Sequence, residues 1–135
     1  MKHIEKLYEK YDTQFHLSTK LKKEGATIKF STTSLVKVAG RTVRTVTKKG
    51  VLYTVIFPSN FYSKIGLDED YTIFKCKCHG RYDVLERVFQ HELVHLLLYM
   101  DELDMDTCTK GDKCDKDPHG KNFKDMAGKL FGHKL

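Results

Sequence analysis

The stretch that most limits how this chain can fold is YDVLERVFQHELVHLLLYM, Tyr82 to Met100. Val84, Leu85, Val88 and Phe89 recur at intervals of three and four, the period of a helix with one buried face. From Leu96 to Tyr99 the pattern is apolar all round, so the far end of that helix must be enclosed by other parts of the chain. Asp83 lies near the expected start, where a carboxylate suits the positive end of the helix dipole. The spacing predicts one long helix over Tyr82 to Met100 with the other elements arranged around it.

A chain of 135 residues has material for one such core, so residues 1–135 are expected to form a single domain. Forty per cent of the residues are hydrophobic and only two are proline, a globular composition rather than a disordered one. The opening MKHIEKLYEKYD is charged and amphipathic, unlike a signal peptide, and no run of about eighteen apolar residues occurs. The expectation is an intracellular protein, cytoplasmic or nuclear, not secreted and without a membrane partner.

Upstream, Ile4, Leu7, Tyr8, Tyr11 and Phe15 give the first helix an apolar face that should pack on a sheet. ATIKFS, RTVRTVT, VLYTVIF and YTIFKC are β-rich segments, and TKKGV places Gly50 where a hairpin turn needs it. SNFYSKIG reads as a short helix capped by Ser59 or Asn60 and ending at Gly66. Beyond the long helix comes DELDMDTCTKGDKCDKDPHG, an acidic loop of about twenty residues, long enough to imply a function or a stabilising device. It lacks the register of a calcium-binding loop, with Thr109 where glycine would be required. A last helix is expected in KNFKDMAGKLFG.

The long helix carries chemistry in HELVH, His91 to His95. Residues four apart on a helix lie roughly 6 Å from each other on one face, so His91 and His95 can turn imidazole nitrogens to one ion. Glu92 projects beside that ion, where its carboxylate can take a proton from an activated water as a general base. Chance would place an HExxH in roughly 2% of chains of this composition, so the helical context adds weight to the motif. Glu92 also continues the apolar stripe of Val88, where an ionisable carboxyl is costly to bury without a purpose.

A catalytic zinc takes three protein ligands and keeps one position open. In the pattern HExxHxxGxxH the third would be position 101, but Leu98 stands where that pattern turns on glycine, leaving Asp101 poorly placed. Asp125 and His133 are more distant alternatives. His119 is the better candidate, because Pro118 and Gly120 shape a turn around it just before a helix that Phe123 can lock into the core.

HExxH, a polar loop and then HGKNF at 119 to 123 resemble the SprT-like zinc metalloproteases, the family of Spartan-like protease domains. EKLYEKYDTQF is similar to that family's opening helix, VAGRTVRTVTKKGVLYTVIFPSNFY to its hairpin sheet, and RYDVLERVFQHELVHLLLYM to its active-site helix. The resemblance implies an α+β zincin-like fold: an N-terminal helix, a small antiparallel sheet, the HExxH helix and a C-terminal helix after HGxxF. It implies His91, His95 and His119 as the ligands of one catalytic Zn2+ and Glu92 as the base. The implied activity is zinc-dependent endopeptidase cleavage of DNA-bound or DNA-crosslinked proteins. None of the family's accessory recruitment domains is seen up to Leu135, which suggests a minimal form.

The basic charge is concentrated in the first half of the chain, which suits a polyanion such as the DNA that the resemblance implies, the alternative being a solvated lysine-rich surface. Residues 1 to 50 hold twelve Lys/Arg against four Asp/Glu, whereas the rest of the chain is slightly acidic. Two segments look like insertions relative to the family, YTIFKCKCHG and much of the acidic loop, and they contain all four cysteines. Cys76, Cys78, Cys108 and Cys114 are therefore candidates for a second, structural zinc or for disulfides, with His79 as a substitute ligand and free thiols as the alternative. Tyr71 and Tyr99 are candidate oxyanion stabilisers. The competing functional readings are a non-catalytic zinc-stabilised DNA-binding or adaptor protein, and a protease with a substrate unrelated to DNA.

Overall fold

A computed structural model describes residues 2–33, 40–58, 62, 64–100 and 121–132, with residues 121 and 122 described in backbone only. The chain begins with two helices, α1 (Lys2–Phe15) and α2 (Leu17–Glu24). α1 is the amphipathic helix expected from Ile4 to Phe15, whereas α2 was not foreseen; His16 separates the two with a left-handed backbone at φ 57°. Asp12 fastens the break: its carboxylate accepts the Ser18 N–H and the Ser18 hydroxyl, both at 2.7 Å. Those bonds satisfy an otherwise unpaired amide at the start of α2 and turn Leu17 and Leu21 into the core.

Three strands follow: β1 (Ala26–Thr33), β2 (Arg41–Thr47) and β3 (Gly50–Pro58), in the spatial order β1-β3-β2. β2 and β3 form the expected hairpin, with Thr47 opposite Gly50. β1 runs parallel to β3, from Ala26 beside Val51 to Thr33 beside Pro58. The sheet is therefore mixed, which corrects the expectation of a wholly antiparallel one. Alternating side chains tell which face of a strand is buried, but carry no information about the direction of its neighbour.

YTIFKC, read as one β segment, is folded in two. β4 (Asp70–Ile73) and β5 (Cys76–His79) pair antiparallel around a two-residue turn at Phe74 and Lys75. Both turn residues are left-handed, at φ 53° and 58°. Such turns normally take Asn-Gly, and a side-chain-bearing residue in this conformation costs about 1–2 kcal/mol. Half of SNFYSKIG, where a short helix was expected, lies outside the described residues.

The long helix, α3, spans Arg81–Met100, one residue more than its spacing predicts. Asp83 reaches back to accept the His79 N–H at 2.9 Å, as its position near the cap suggested. Gly80, at φ 84°, precedes the helix and passes so close to the Leu67 carbonyl that a Cβ would collide with it. Arg81 donates from Nε to the Ile65 carbonyl at 2.8 Å, so the 65–69 segment is fastened to the helix start. α4 (Lys121–Phe131) closes the described chain.

α3 lies at the centre of the packing. Val84, Leu85, Val88, Phe89, Leu93, Leu96 and Leu97 join Tyr53, Val55 and Phe57 of the sheet and Ile4, Tyr11, Leu17 and Leu21 of the first two helices in one core. Phe89 stacks on Phe57 with ring centres 6.3 Å apart and on Tyr11 at 5.7 Å. Val94 and Leu98 face the other way and meet Phe123 and Ala127 of α4 in a second cluster. Because the helix is covered on both sides, Leu96, Leu97 and Leu98 are all buried. Among the described residues no helix is long and apolar enough to cross a membrane.

Candidate metal and catalytic site

HELVH occupies the middle of α3, where its three functional side chains divide between two surroundings. His91 and His95 look towards α4. Their rings lie 5.3 Å apart, and each meets Phe123, at 4.8 Å and 4.3 Å respectively. Phe74 lies against His91 with ring centres 4.3 Å apart and planes within 8° of parallel. His91 is thereby buried, while His95 remains partly exposed.

Glu92 turns instead towards the start of β2 and is only 3% exposed. Thr42 donates its hydroxyl to Glu92 Oε1 at 3.1 Å. Gly40 lies so close that a Cβ there would come within 2.8 Å of Val88 Cγ1 and 3.3 Å of Glu92 Cγ. A glycine is thus required for the edge of the sheet to approach the helix at this level. Burial pushes the Glu92 carboxyl up to about 7, with the Thr42 hydrogen bond acting in the opposite direction. A carboxyl poised near neutrality can both accept and return a proton at little cost.

One ligand atom from each of His91, Glu92 and His95 can be chosen so that all three lie within 4.8 Å of one another. Two imidazoles and a carboxylate brought together in this way suit a borderline-soft divalent cation such as zinc. Among the described residues this is the group of three or more His, Cys, Asp or Glu side chains that could hold a metal.

The other sequence candidates distribute differently. His119, Asp101 and His133 lie outside the described residues, as do Cys108 and Cys114. Asp125 is exposed on α4. Cys76 and Cys78 occur two apart on β5 and so share a face of the hairpin, with Cys78 buried and Cys76 partly so. Burial raises the Cys78 thiol above its ordinary value, which disfavours a reactive thiolate. His79 falls on the opposite face, with Nδ1 2.9 Å from Asp70 Oδ1, and so does not join the two cysteines as a ligand.

Of the two tyrosines singled out as oxyanion stabilisers, Tyr71 pairs with Cys78 in the hairpin, and Tyr99 packs near Tyr53 with ring centres 6.2 Å apart. A third tyrosine lies near the base: burial first, and then the nearby charge of Glu92, raise the Tyr62 phenol well above the ordinary range. Gly40, Thr42, Tyr62 and Phe74 all come from outside the helix. The sequence placed them in segments resembling a hairpin sheet or read as a strand or short helix, without marking them as part of the site.

No family model, curated protein or solved structure matches the chain.

Proposed function

We propose that the protein is a zinc-dependent endopeptidase of the SprT-like kind, with a zincin-like arrangement of helix and sheet, acting on DNA-bound or DNA-crosslinked proteins. The observation that carries this reading is the convergence of His91, Glu92 and His95 on one helix, with Glu92 buried and held by Thr42. His91 and His95 would hold the ion, and His119 from the HGKNF turn is proposed as the third ligand. Zinc, when bound, supplies a Lewis acid that polarises a carbonyl and makes a water acidic near neutral pH.

The chain's own residues do the rest. Glu92 takes the proton from the attacking water and delivers it to the leaving amine, and Thr42 keeps its carboxylate oriented for both transfers. β2 lies at an edge of its sheet, and its first residues adjoin Glu92. An extended substrate adding to that edge would be held by main-chain hydrogen bonds, which accept many sequences. The lysine-rich first half would bring the enzyme to DNA and so to proteins already there.

The test is incubation of zinc-loaded wild type and Glu92→Gln with a DNA-binding protein, with and without DNA. The proposal expects cleavage by wild type, stimulated by DNA and suppressed as salt rises, and a loss of about 10²- to 10⁴-fold in the variant. Cleavage indifferent to DNA would move the substrate away from DNA. Equal absence of cleavage in both proteins would leave the non-catalytic adaptor as the better account.

A further inference from the structure

The β4–β5 hairpin sets Phe74 against His91 of HELVH, and at a cost to its own backbone. Phe74 and Lys75 form the turn with φ of 53° and 58°, a conformation suited to Asn-Gly rather than to a phenylalanine. The ring that this turn projects lies flat on His91, 4.3 Å away and 8° from parallel. Phe123 meets the same imidazole edge-on from α4, at 4.8 Å. Backbone strain of this sort persists where the surroundings over-determine it, and it often accompanies a functional group that must be held.

We propose that Phe74 is a positioning residue for the metal ligand His91, fixing the plane of the imidazole from the hairpin tip before the ion arrives. This rests on the metal-binding reading of HELVH. A histidine on a helix must give up rotation about two side-chain bonds to meet an ion, and that ordering weakens binding unless the protein has already imposed it. Stacking on Phe74 confines rotation about Cβ–Cγ, and Phe123 limits the swing of the ring away from the helix. His95 also meets Phe123 and is more exposed than His91. The hairpin thus supplies an outer support of the kind that tunes metal affinity without touching the metal.

The experiment is titration of Co2+ into metal-free full chain, followed by its visible absorption and by competition with a chelator. It is run on wild type, Phe74→Ala, Phe74→Tyr and the double variant Phe74→Asn/Lys75→Gly. The double variant relieves the turn while removing the ring, so its metal-free melting temperature should equal or exceed that of wild type. Its cobalt affinity should nonetheless fall about tenfold or more, with altered absorption, as should that of Phe74→Ala. Phe74→Tyr keeps the stacking and should stay close to wild type. A double variant with wild-type cobalt affinity and spectrum would overturn the proposal, as would losses that track lost metal-free stability in every variant. Wild type that binds no cobalt would overturn the metal reading itself, a different failure.

Discussion

Glu92 is the residue at which the sequence and the structure bear on each other most closely. As one letter in HELVH it could be an ordinary helix glutamate; in the folded chain it is buried against Gly40, Val88 and Thr42. Loss of a hydrogen bond to a carboxylate costs about 1.5–3 kcal/mol, so Thr42→Val should lower kcat about tenfold or more with KM little changed. Thr42→Ser, which keeps the hydroxyl, should recover most of that in steady-state cleavage assays. The raised carboxyl also predicts a pH signature in metal-free protein. Its folded value of about 7 exceeds the unfolded value, so the folded state holds the extra proton between them. Stability is therefore full at acid pH and falls by about 3 kcal/mol as pH rises from roughly 4 to 7. Denaturant titrations of chelator-treated protein should show that fall in wild type, and Glu92→Gln should flatten it.

At the scale of elements, the helix period was legible and the turns were less so. α3 appears within one residue of its expected start because Val84 to Phe89 and Leu96 to Tyr99 leave no other way to bury their side chains. RTVRTVT matches β2 residue for residue. The misses lie beside residues without a strong turn preference that adopt left-handed backbone. α2, which was not foreseen, follows His16, and Phe74 with Lys75 folds YTIFKC back on itself, although no glycine or asparagine marks either point. The parallel pairing of β1 was also hidden, since it depends on β3 lying between β1 and β2. The contact between α1 and α3 is a further product of tertiary structure. The Tyr11 hydroxyl donates to Glu86 at 2.7 Å and accepts from buried Gln90 at the same distance, and Lys10 reaches Glu86 at 2.8 Å. Tyr11→Phe keeps the ring and removes both of the hydroxyl's hydrogen bonds, so it should lower unfolding stability by about 1–3 kcal/mol in chemical denaturation.

Across the described residues, the candidate site draws on several separate parts of the chain. α3 brings the two histidines and the glutamate, β2 and the residue before it orient the glutamate, the β4–β5 hairpin covers His91, and α4 packs Phe123 on both imidazoles. Only the first of these was written in a local motif, because the others depend on which segments the core brings together. Phe123 is an intermediate case: its role in locking α4 was visible, its contact with the histidines was not. The proposed third ligand, His119, lies outside the described residues; Phe123, four positions further on, packs against both His91 and His95. The central claim, that these segments form one metal centre, is tested most directly by zinc content and affinity in wild type beside His91→Ala, His95→Ala and His119→Ala. The account predicts tight zinc binding in wild type and loss of the catalytic zinc in each variant. A chain that stays zinc-free, or a His119→Ala variant with undiminished zinc affinity, would contradict it.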